Sequence, residues 1–529
     1  MSYQPLQIKG GGKQTDATTS MGVKGLDLNN APQFLDVQNS LQNVNYLIAA
    51  QGSLVKRKGY EVKATASGAT SVTMLEKFTD DIYIVGYGTT VASYTKSTGV
   101  LATIKSDFSV NTGFNGAKYG EYFFVVNGVE ELYRIDSTLA ETAVAGSPIA
   151  KVVEAIGPRL YLGNLSTDET AVAYPELDDG TNPPFTTWTV GTLATDPGEV
   201  SYRNGGPVRA IESQGKAIVV FQDDGKFAFF HDTIDSAGTL TKVDQTQMYR
   251  QDFGGARGAI STPKGLFYAN EAGLWVLVGI GQENFPISDQ EFPTSINLGN
   301  TYFNDIDFTN ASITYDAKRD NILLSCAKNS DTNNLVIVYN VDNKSFSTIT
   351  GWNVNRFMND NQVIYSASSV DGKVNQLFKG DSDNGLNIGT TYEQELNLGA
   401  LETRQMLKGC YVQGFLSPSS EITVRFDIYD VTGKPIKNKL RYTWSTQYNL
   451  NGADGYNSAH YNESTWGGDS DLAGLVESFD GCRPFIRNFQ RIRIRLTSGD
   501  QLPHAVTWVK LDARIKAKIR RRKMTLLST

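Results

Sequence analysis

The chain has few of the residues that build metal and redox sites. Its 529 residues include only three histidines and three cysteines, Cys326, Cys410 and Cys482. The cysteines lie far apart and form no C-x-x-C pair, which argues against a disulfide framework and against a zinc site. We expect the thiols to be buried as small apolar groups, and we expect no cofactor.

Long apolar runs and the common catalytic motifs are missing as well. The chain has no run of eighteen apolar residues, and its first twenty residues lack the apolar core of a secretory signal. It has no G-x-S-x-G elbow, no phosphate-binding Gly-Lys-Ser/Thr loop and no H-E-x-x-H motif. We therefore expect a soluble, unprocessed protein that has no membrane segment and is not an enzyme.

Glycine and aromatic residues, in contrast, are plentiful. The chain contains 50 Gly, 25 Tyr and 25 Phe, and Gly-, Asn- and Asp-rich turns interrupt its apolar runs about every ten residues. Aromatic and β-branched residues between such turns favour strands over helices. The composition predicts an all-β protein.

One strand pattern recurs between about residues 70 and 380. Seven pairs of apolar strands begin near residues 72, 115, 151, 208, 258, 308 and 355, a step of about 47 residues. This step is typical of propeller blades, whose four-stranded sheets cover their faces by stacking around a ring. The pattern predicts a β-propeller of six or seven blades, although WD and kelch signatures are absent. Stacked β-sandwiches are the alternative.

The strands lengthen after about residue 390 and the regular step ends there. We therefore predict three segments: an extended arm with a first strand at 1–60, the propeller at 61–390, and a β-sandwich-like platform with a basic tail at 391–529. A Gly-, Asn- and Asp-rich insertion at 449–482 is too long for a simple turn. We expect it to touch a partner or to cover a sheet edge.

Charge is segregated along the chain. The net charge is −7, but residues 510–529 hold eight basic residues against Asp512, which gives +7 there and −14 elsewhere. Such a tail is either solvated, bound to nucleic acid without sequence preference, or docked on another subunit. Ile515 and Ile519 interrupt it, which favours docking. The candidate contact residues of the tail are Lys516, Lys518, Arg520, Arg521, Arg522 and Lys523.

A second basic group is the run Q-R-I-R-I-R-L at 490–496. On a strand, Arg491, Arg493 and Arg495 share one face while the aliphatic residues between them share the other. The arginine face is either simply solvated or contacts a subunit or a polyanion, to which guanidinium groups bind in a bidentate manner.

A third basic group, Lys56, Arg57 and Lys58, stands between a Gly-Ser turn and Gly59-Tyr60. The surrounding segment at 22–60 resembles the N-terminal signature of the tail hub or nozzle proteins of short-tailed bacteriophages. The matching residues are Gly25, Leu26, Pro32, Asn43, Val44, Gly52, Leu54, Arg57, Gly59 and Tyr60. The chain departs from that signature at Lys58, where those proteins usually have a proline that would rigidify the turn.

This resemblance implies a structural virion protein. Members of the family form a homohexameric ring below the portal and its adaptor, and the ring extends and closes the channel through which double-stranded DNA is ejected. The implied partners are further copies of the chain, the portal–adaptor complex, tail fibres or a tail plug, and transiently the DNA. The implied location is the virion tail, after synthesis in the host bacterial cytoplasm.

Within such a ring, we expect the basic triplet and the arginine strand to face an acidic neighbouring subunit or the DNA path. The neighbouring subunit is favoured, because a channel that bound phosphate tightly would retard ejection. Two other functions stay open. One is a carbohydrate-binding or carbohydrate-cleaving propeller in which Trp275, Trp352, Trp444 and Trp466 stack on sugars; the other is a cytoplasmic interaction scaffold.

Overall fold

The computed structural model describes most of the chain. The described residues are 15–20, 25–26, 39–49, 53–109, 113–157, 159–175, 188, 198–201, 203, 205–215, 217–230, 233–234, 240–241, 244–246, 258–270, 273–277, 296–297, 305–397, 404–417, 420–429, 434–435, 440–445, 476–482, 486–489 and 491–516. They fall into two compact units, one of residues 60–337 and 350–377, the other of residues 1–59, 338–349 and 378–529.

In these residues, all regular secondary structure longer than a single residue consists of β-strands. The strands are β1 (Thr15–Ser20), β2 (Gly25–Leu26), β3 (Asn39–Ser40), β4 (Gln42–Val44), β5 (Tyr46–Ile48), β6 (Leu54–Lys56), β7 (Tyr60–Thr65), β8 (Met74–Lys77), β9 (Ile82–Tyr87), β10 (Thr90–Thr95), β11 (Val100–Lys105), β12 (Asn115–Tyr119), β13 (Tyr122–Val126), β14 (Tyr133–Ile135), β15 (Glu141–Ala143), β16 (Ala150–Ile156), β17 (Arg159–Leu165), β18 (Ala171–Tyr174), β19 (Gly198–Ser201), β20 (Val208–Gln214), β21 (Ala217–Gln222) and β22 (Gly225–Phe230). The remaining strands are β23 (Thr233–Ile234), β24 (Leu240–Thr241), β25 (Asp244–Thr246), β26 (Gly258–Thr262), β27 (Gly265–Asn270), β28 (Gly273–Leu277), β29 (Ile296–Asn297), β30 (Ile306–Asp316), β31 (Asn321–Lys328), β32 (Leu335–Asn340), β33 (Ser345–Thr350), β34 (Val354–Asp360), β35 (Val363–Ser368), β36 (Lys373–Leu377), β37 (Thr390–Asn397), β38 (Arg404–Leu416), β39 (Glu421–Tyr429), β40 (Leu440–Ser445), β41 (Val476–Cys482), β42 (Ile486–Phe489), β43 (Arg491–Ser498) and β44 (His504–Lys516).

The first unit is a propeller. Six antiparallel sheets of four strands lie in it, namely β8–β11, β12–β15, β16–β19, β20–β22 with β25, β26–β29, and β34–β36 with β7, and a seventh begins with β30 and β31. The first strand of each sheet contacts the first strand of the next, in the closed order β8, β12, β16, β20, β26, β30, β34 and back to β8. The predicted propeller is therefore confirmed, with seven sheets in its ring.

Ring closure uses a strand from the beginning of the chain. β7 completes the last sheet by pairing antiparallel with β36, and Leu377 lies opposite Tyr60. One apolar cluster then joins the last sheet to the first, with Val374 and Met358 on one side and Leu75 and Val85 on the other. Propeller sheets protect their edges by closing into a ring, so β7 completes and stabilises the propeller.

The second unit is a β-sandwich. One sheet has the order β41-β38-β44-β6-β5, with β1 added along β44; the other runs β33-β4-β37-β43-β39-β40 within this unit. Their facing residues form one apolar core that includes Tyr46, Trp444 and Ile494, all fully buried. The predicted sandwich-like fold is confirmed, and the alternative of stacked sandwiches throughout the chain is not what the structure has.

The units do not follow the chain in simple order. The predicted segments 1–60, 61–390 and 391–529 are consecutive, whereas the sandwich unit takes residues from the beginning, the middle and the end of the sequence. Strands β4, β5 and β6, from the segment expected to be an arm, are part of the sandwich sheets. Among the described residues, no helix is long and apolar enough to span a membrane.

Candidate functional site

The basic triplet ends β6 and lies inside the sandwich unit. Lys56 is buried, and its Nζ atom lies 3.4 Å from Asp500 Oδ1 and 3.2 Å from the carbonyl oxygen of Leu502. It also donates to the carbonyl oxygen of Asp500. Burial lowers the pKa of Lys56, and the Asp500 carboxylate opposes that change. The buried ammonium group is therefore held by a carboxylate and two carbonyls of its own chain.

Arg57 is also buried and forms a bidentate ion pair. Its Nη1 and Nη2 atoms donate to Asp383 Oδ1 and Oδ2 at 2.7 and 2.6 Å, and its Nε atom donates to Asn45 Oδ1 at 2.9 Å. Lys58, which is partly exposed, donates to Asp381 Oδ1 at 2.8 Å. Each residue of the triplet thus has an acidic partner within the same unit.

The loop that supplies two of these partners is D-S-D-N-G at 381–385. From its sequence alone, a loop with such closely spaced carboxylates is either a weak calcium site or a set of plain turn residues. In the structure, Asp381 and Asp383 instead bind Lys58 and Arg57. No local sequence signal connects the basic residues at 56–58 with the acidic residues at 381–383.

The glycine that follows the triplet, Gly59, lies where two backbone segments pass very close to each other. A Cβ atom at this position would lie 1.8 Å from the carbonyl oxygen of Ser382. The Gly59 N–H donates to the Gly380 carbonyl, and the Gly59 carbonyl accepts from the Lys379 N–H, both at 2.9 Å. The two backbones approach too closely for any side chain, so glycine is required here.

The arginine strand β43 lies in the middle of the second sandwich sheet. Its aliphatic residues face the core, as predicted from their alternation, and Arg491, Arg493 and Arg495 face outwards. These arginines interleave with Glu393 and Glu395 of the neighbouring strand β37. The result is a continuous ladder of ion pairs rather than a row of free positive charges.

The ladder has short contacts along its length. Arg495 Nε donates to Glu393 Oε2 at 2.7 Å, Arg493 Nη1 lies 3.1 Å from Glu393 Oε1, and Arg493 Nη2 lies 2.9 Å from Glu395 Oε2. Arg491 Nη1 completes it by donating to Glu395 Oε1 at 2.7 Å. Arg491 and Arg493 also pack over the Tyr429 ring. The arginine side chains are 17–34% exposed, so one side of each guanidinium still faces outwards.

Two further arginines share this face and were not singled out from the sequence. Arg425 on β39 lies directly opposite Arg495, and Arg441 on β40 lies directly opposite Arg425. Arg425 pairs with Asp427 of its own strand, with Nε donating to Oδ1 at 2.9 Å. Their alternation with core residues was the available signal, but only the sheet order brings the three arginines into one row.

Part of the basic tail lies outside the described residues. Lys516 is the last residue of β44, and the backbone there pairs with Arg404. Lys518, Arg520, Arg521, Arg522 and Lys523 lie beyond it, outside the described residues, as does most of the insertion at 449–482. Contacts of any of the twelve basic candidates with another subunit or with DNA stay predictions.

The tryptophans proposed as sugar platforms are core residues where they are described. Trp275, Trp352 and Trp444 are buried, with exposed fractions of 4%, 1% and 0%. Trp466 lies outside the described residues. The three described rings are therefore not available to stack on a sugar. Nor do the described His, Cys, Asp and Glu residues include a group of three that could hold a metal ion.

The propeller unit contains three glutamates whose pKa values are raised. Glu76, Glu154 and Glu212 lie on β8, β16 and β20, each the first strand of its sheet. Burial raises the pKa of Glu76 to about 8, an effect increased by Glu154 and opposed by Arg356. Burial likewise raises the pKa of Glu154 to about 7 and that of Glu212 well above its usual value. All three residues are half-buried, and repulsion from the Glu154 carboxylate adds to the increase in the pKa of Glu76 and of Glu212.

Comparison with known proteins gives similarity of fold alone. No family model and no curated protein matches the chain. Solved structures with a similar fold include the extracellular domain of the one-component system BT4673 from B. thetaiotaomicron, with 11% identity over 60% of this chain and a TM-score of 0.41. The match spans 39% of that protein's own chain.

Two further structures are similar at the same level. A chain of the mitotic checkpoint complex has 10% identity and a TM-score of 0.39, and the match covers 66% of this chain and 96% of that one. The computationally designed Ika8 protein has 13% identity and a TM-score of 0.36, with 64% and 99% covered.

Proposed function

We propose that the chain is a structural component of a bacteriophage tail, a hub or nozzle that assembles as a homohexameric ring below a portal–adaptor complex. In this proposal the ring extends and closes the channel for DNA ejection. It acts through assembly rather than catalysis, and its location is the virion tail.

The observation that carries the proposal is the structural role of the N-terminal signature. Leu54 is a fully buried core residue of the sandwich, Arg57 binds Asp383, Gly59 has no room for a side chain, and Tyr60 begins the strand that closes the propeller. The signature residues therefore stabilise the sandwich unit and begin the strand that closes the propeller. This supports the resemblance, because these residues serve the architecture and not a separate binding motif.

A second line of support comes from the charges of the sandwich unit. The arginine ladder forms a partly exposed surface in which arginines alternate with more deeply buried glutamates. Surfaces of this kind suit a specific protein contact, because alternating charges fix the register of the partner. Repetition around a ring would multiply each such contact and raise the total affinity.

Imaging of assemblies tests the proposal. The purified chain is mixed with the portal and adaptor of the phage or prophage that encodes it, and the complexes are examined by negative-stain microscopy. We expect rings with six-fold symmetry and an open axis, attached to the adaptor end of the portal. Failure to bind the portal–adaptor complex under conditions that preserve that complex would refute the proposal.

The carbohydrate-binding alternative has no described residue in its favour. Its three described tryptophans are buried, as noted above, and Trp466 is its one remaining aromatic candidate. Glycan-array binding by the purified chain, lost in Trp466→Ala, would revive this alternative.

A further inference from the structure

The outer face of the sandwich sheet has an unbalanced row of charges. Across strands β37, β43, β39 and β40, the row reads Glu393, Arg495, Arg425, Arg441. Like charges directly opposite each other destabilise an antiparallel sheet, and this row contains two such contacts in succession. The next row, by contrast, is Glu395, Arg493, Asp427, in which the signs alternate.

The imbalance increases towards the end of the row. Arg495 shares Glu393 with Arg493, and Arg425 pairs with Asp427, but Arg441 is exposed and has no carboxylate partner among the described residues. Arg441 lies on β40, which ends the strand order of its sheet as described. Among the described residues, five arginines and four carboxylates stand on this face, so it keeps a small excess of positive charge. The residues are Arg425, Arg441, Arg491, Arg493, Arg495, Glu393, Glu395, Glu421 and Asp427.

A row of hydroxyl groups runs alongside the arginines. Thr391, Thr497, Thr423 and Thr443 lie opposite one another on the same four strands, two residues along each strand from the charged row. Hydroxyl and guanidinium groups both donate hydrogen bonds, and guanidinium groups bind carboxylates in a planar, bidentate manner. The face therefore presents two parallel lines of donors to an anionic partner.

We propose that this face binds a carboxylate-rich surface of a second copy of the chain in a head-to-tail contact. The proposal rests on the homo-oligomeric assembly proposed above and names the surface that one copy offers to the next.

Charge complementarity identifies the second copy as the partner. Outside residues 510–529 the chain carries a net charge of −14, so another copy supplies abundant carboxylates. A two-fold contact of this face with itself would place arginine rows against each other. The contact must therefore join two different surfaces, and contacts of that kind build rings when their rotation closes.

Duplex DNA fits the face less well. DNA carries one negative charge per about 1.7 Å of its axis, and binding gains strength from each phosphate neutralised. Glu393, Glu395 and Asp427 stand among the arginines and would repel phosphates. An acidic protein surface can place its own basic or neutral groups over these carboxylates, whereas a phosphodiester backbone cannot.

Charge reversal at the exposed end of the row tests the proposal. Arg441→Glu changes a side chain that has no described ion pair, so the fold should persist, which circular dichroism and the thermal midpoint would verify. Arg203→Glu is the matched control, because Arg203 is an exposed arginine of the propeller unit. Self-association is measured by sedimentation velocity over a range of protein concentrations at about 50 mM and about 500 mM salt.

We expect the wild type and Arg203→Glu to self-associate equally at low salt, and Arg441→Glu to associate at least about tenfold more weakly. Arg441→Lys should lie between them. A wild type that stays monomeric at all concentrations, or an Arg441→Glu variant that associates like the wild type, would overturn the proposal.

A duplex-binding assay tests whether the face binds DNA instead of a second copy of the chain. Fluorescence anisotropy with a labelled 30-base-pair duplex should show no binding that depends on Arg441; binding that Arg441→Glu abolishes would assign the face to DNA and overturn the proposal. The tail-hub function fails separately, when the wild type does not attach to the portal–adaptor complex. Rings that form on that complex equally well with Arg441→Glu would leave the function intact and refute this contact.

Discussion

Arg57 and Asp383 are 326 residues apart in sequence and form two parallel hydrogen bonds of 2.7 and 2.6 Å. The Arg57 side chain is 1% exposed and that of Asp383 is 10% exposed. The Arg57 Nε atom donates a further hydrogen bond to Asn45 Oδ1 at 2.9 Å. The pair connects the N-terminal strands of the sandwich unit to the loop at 381–385 of the same unit.

Removal of Arg57 should destabilise the protein strongly. Arg57→Met would leave the Asp383 carboxylate buried without its partner, which costs about 3–5 kcal/mol in comparable buried pairs. Chemical denaturation should therefore show a large decrease in the midpoint of unfolding. Lys58→Gln is the matched control, because the Lys58–Asp381 pair is partly exposed and should contribute less than about 1 kcal/mol. Equal effects of the two substitutions would contradict this account of the triplet.

Gly59→Ala should be as disruptive as a large core substitution. The new methyl group would collide with the Ser382 carbonyl oxygen, so one backbone segment must move and lose the hydrogen bonds between Gly59 and residues 379–380. We expect low soluble yield or a clearly reduced thermal midpoint. Gly499→Ala is the control, because nothing lies within 4 Å of a Cβ atom at that position. A Gly59→Ala protein as stable as Gly499→Ala would show that the close approach is absent.

Asp360 should make the closure of the propeller sensitive to acid. Burial alone would raise the pKa of Asp360, but hydrogen bonds from Lys77, Lys96 and Tyr83 outweigh it and hold the pKa at about 2. Because this folded-state value lies below the unfolded one, near 3.8, the carboxylate stabilises the fold above pH 4 and loses this effect as the pH falls towards 2.

Asp360→Asn should therefore lower stability at pH 7 by roughly 1–3 kcal/mol and have little effect near pH 2. Thermal unfolding at both pH values measures this difference. A destabilisation of the same size at both values would mean that the ion pairs with Lys77 and Lys96 do not contribute.

The raised pKa of Glu76, on the inner strand β8, gives a pH dependence opposite to that of Asp360. The folded-state pKa of Glu76 is about 8, above its model-peptide value of 4.5. Its protonation therefore stabilises the fold fully below pH 4.5, and this stabilisation is lost as the pH rises through 8. Glu76→Gln, which cannot ionise, should have a higher thermal midpoint than the wild type at pH 9 and a similar one at pH 4.5.

Glu121→Gln serves as the control, because Glu121 is exposed on a turn of the same unit. An equal midpoint for Glu76→Gln and the wild type at pH 9 would show that the pKa of Glu76 is not raised in the folded protein.

Much of the fold was predictable because its signals are local. The strand–turn–strand step near 47 residues anticipated the propeller, and the alternation in β43 anticipated which side chains face the sandwich core. The closing strand β7 was not anticipated, because its pairing with β36 joins residues more than 300 positions apart. The same is true of β4, β5 and β6, whose short polar surroundings suggested an arm.

In the candidate site, too, local features were predictable from the sequence and long-range contacts were not. The basic residues at 56–58 and the arginine strand stood out by composition, but their partners Asp500, Asp383 and Glu393 did not, because nothing local connects them. The row formed by Arg495, Arg425 and Arg441 depends on strand order and register. These are set by tertiary pairing, which a single sequence does not display.

The mass of the assembly formed on the portal–adaptor complex tests the central claim most directly. Mass photometry of that complex, before and after addition of the purified chain, gives the number of copies bound. We predict an increase equal to the mass of six 58.0 kDa chains, with no populated intermediate at saturation. No increase in mass, or a single bound copy, would contradict the assignment of this chain to a tail hub ring.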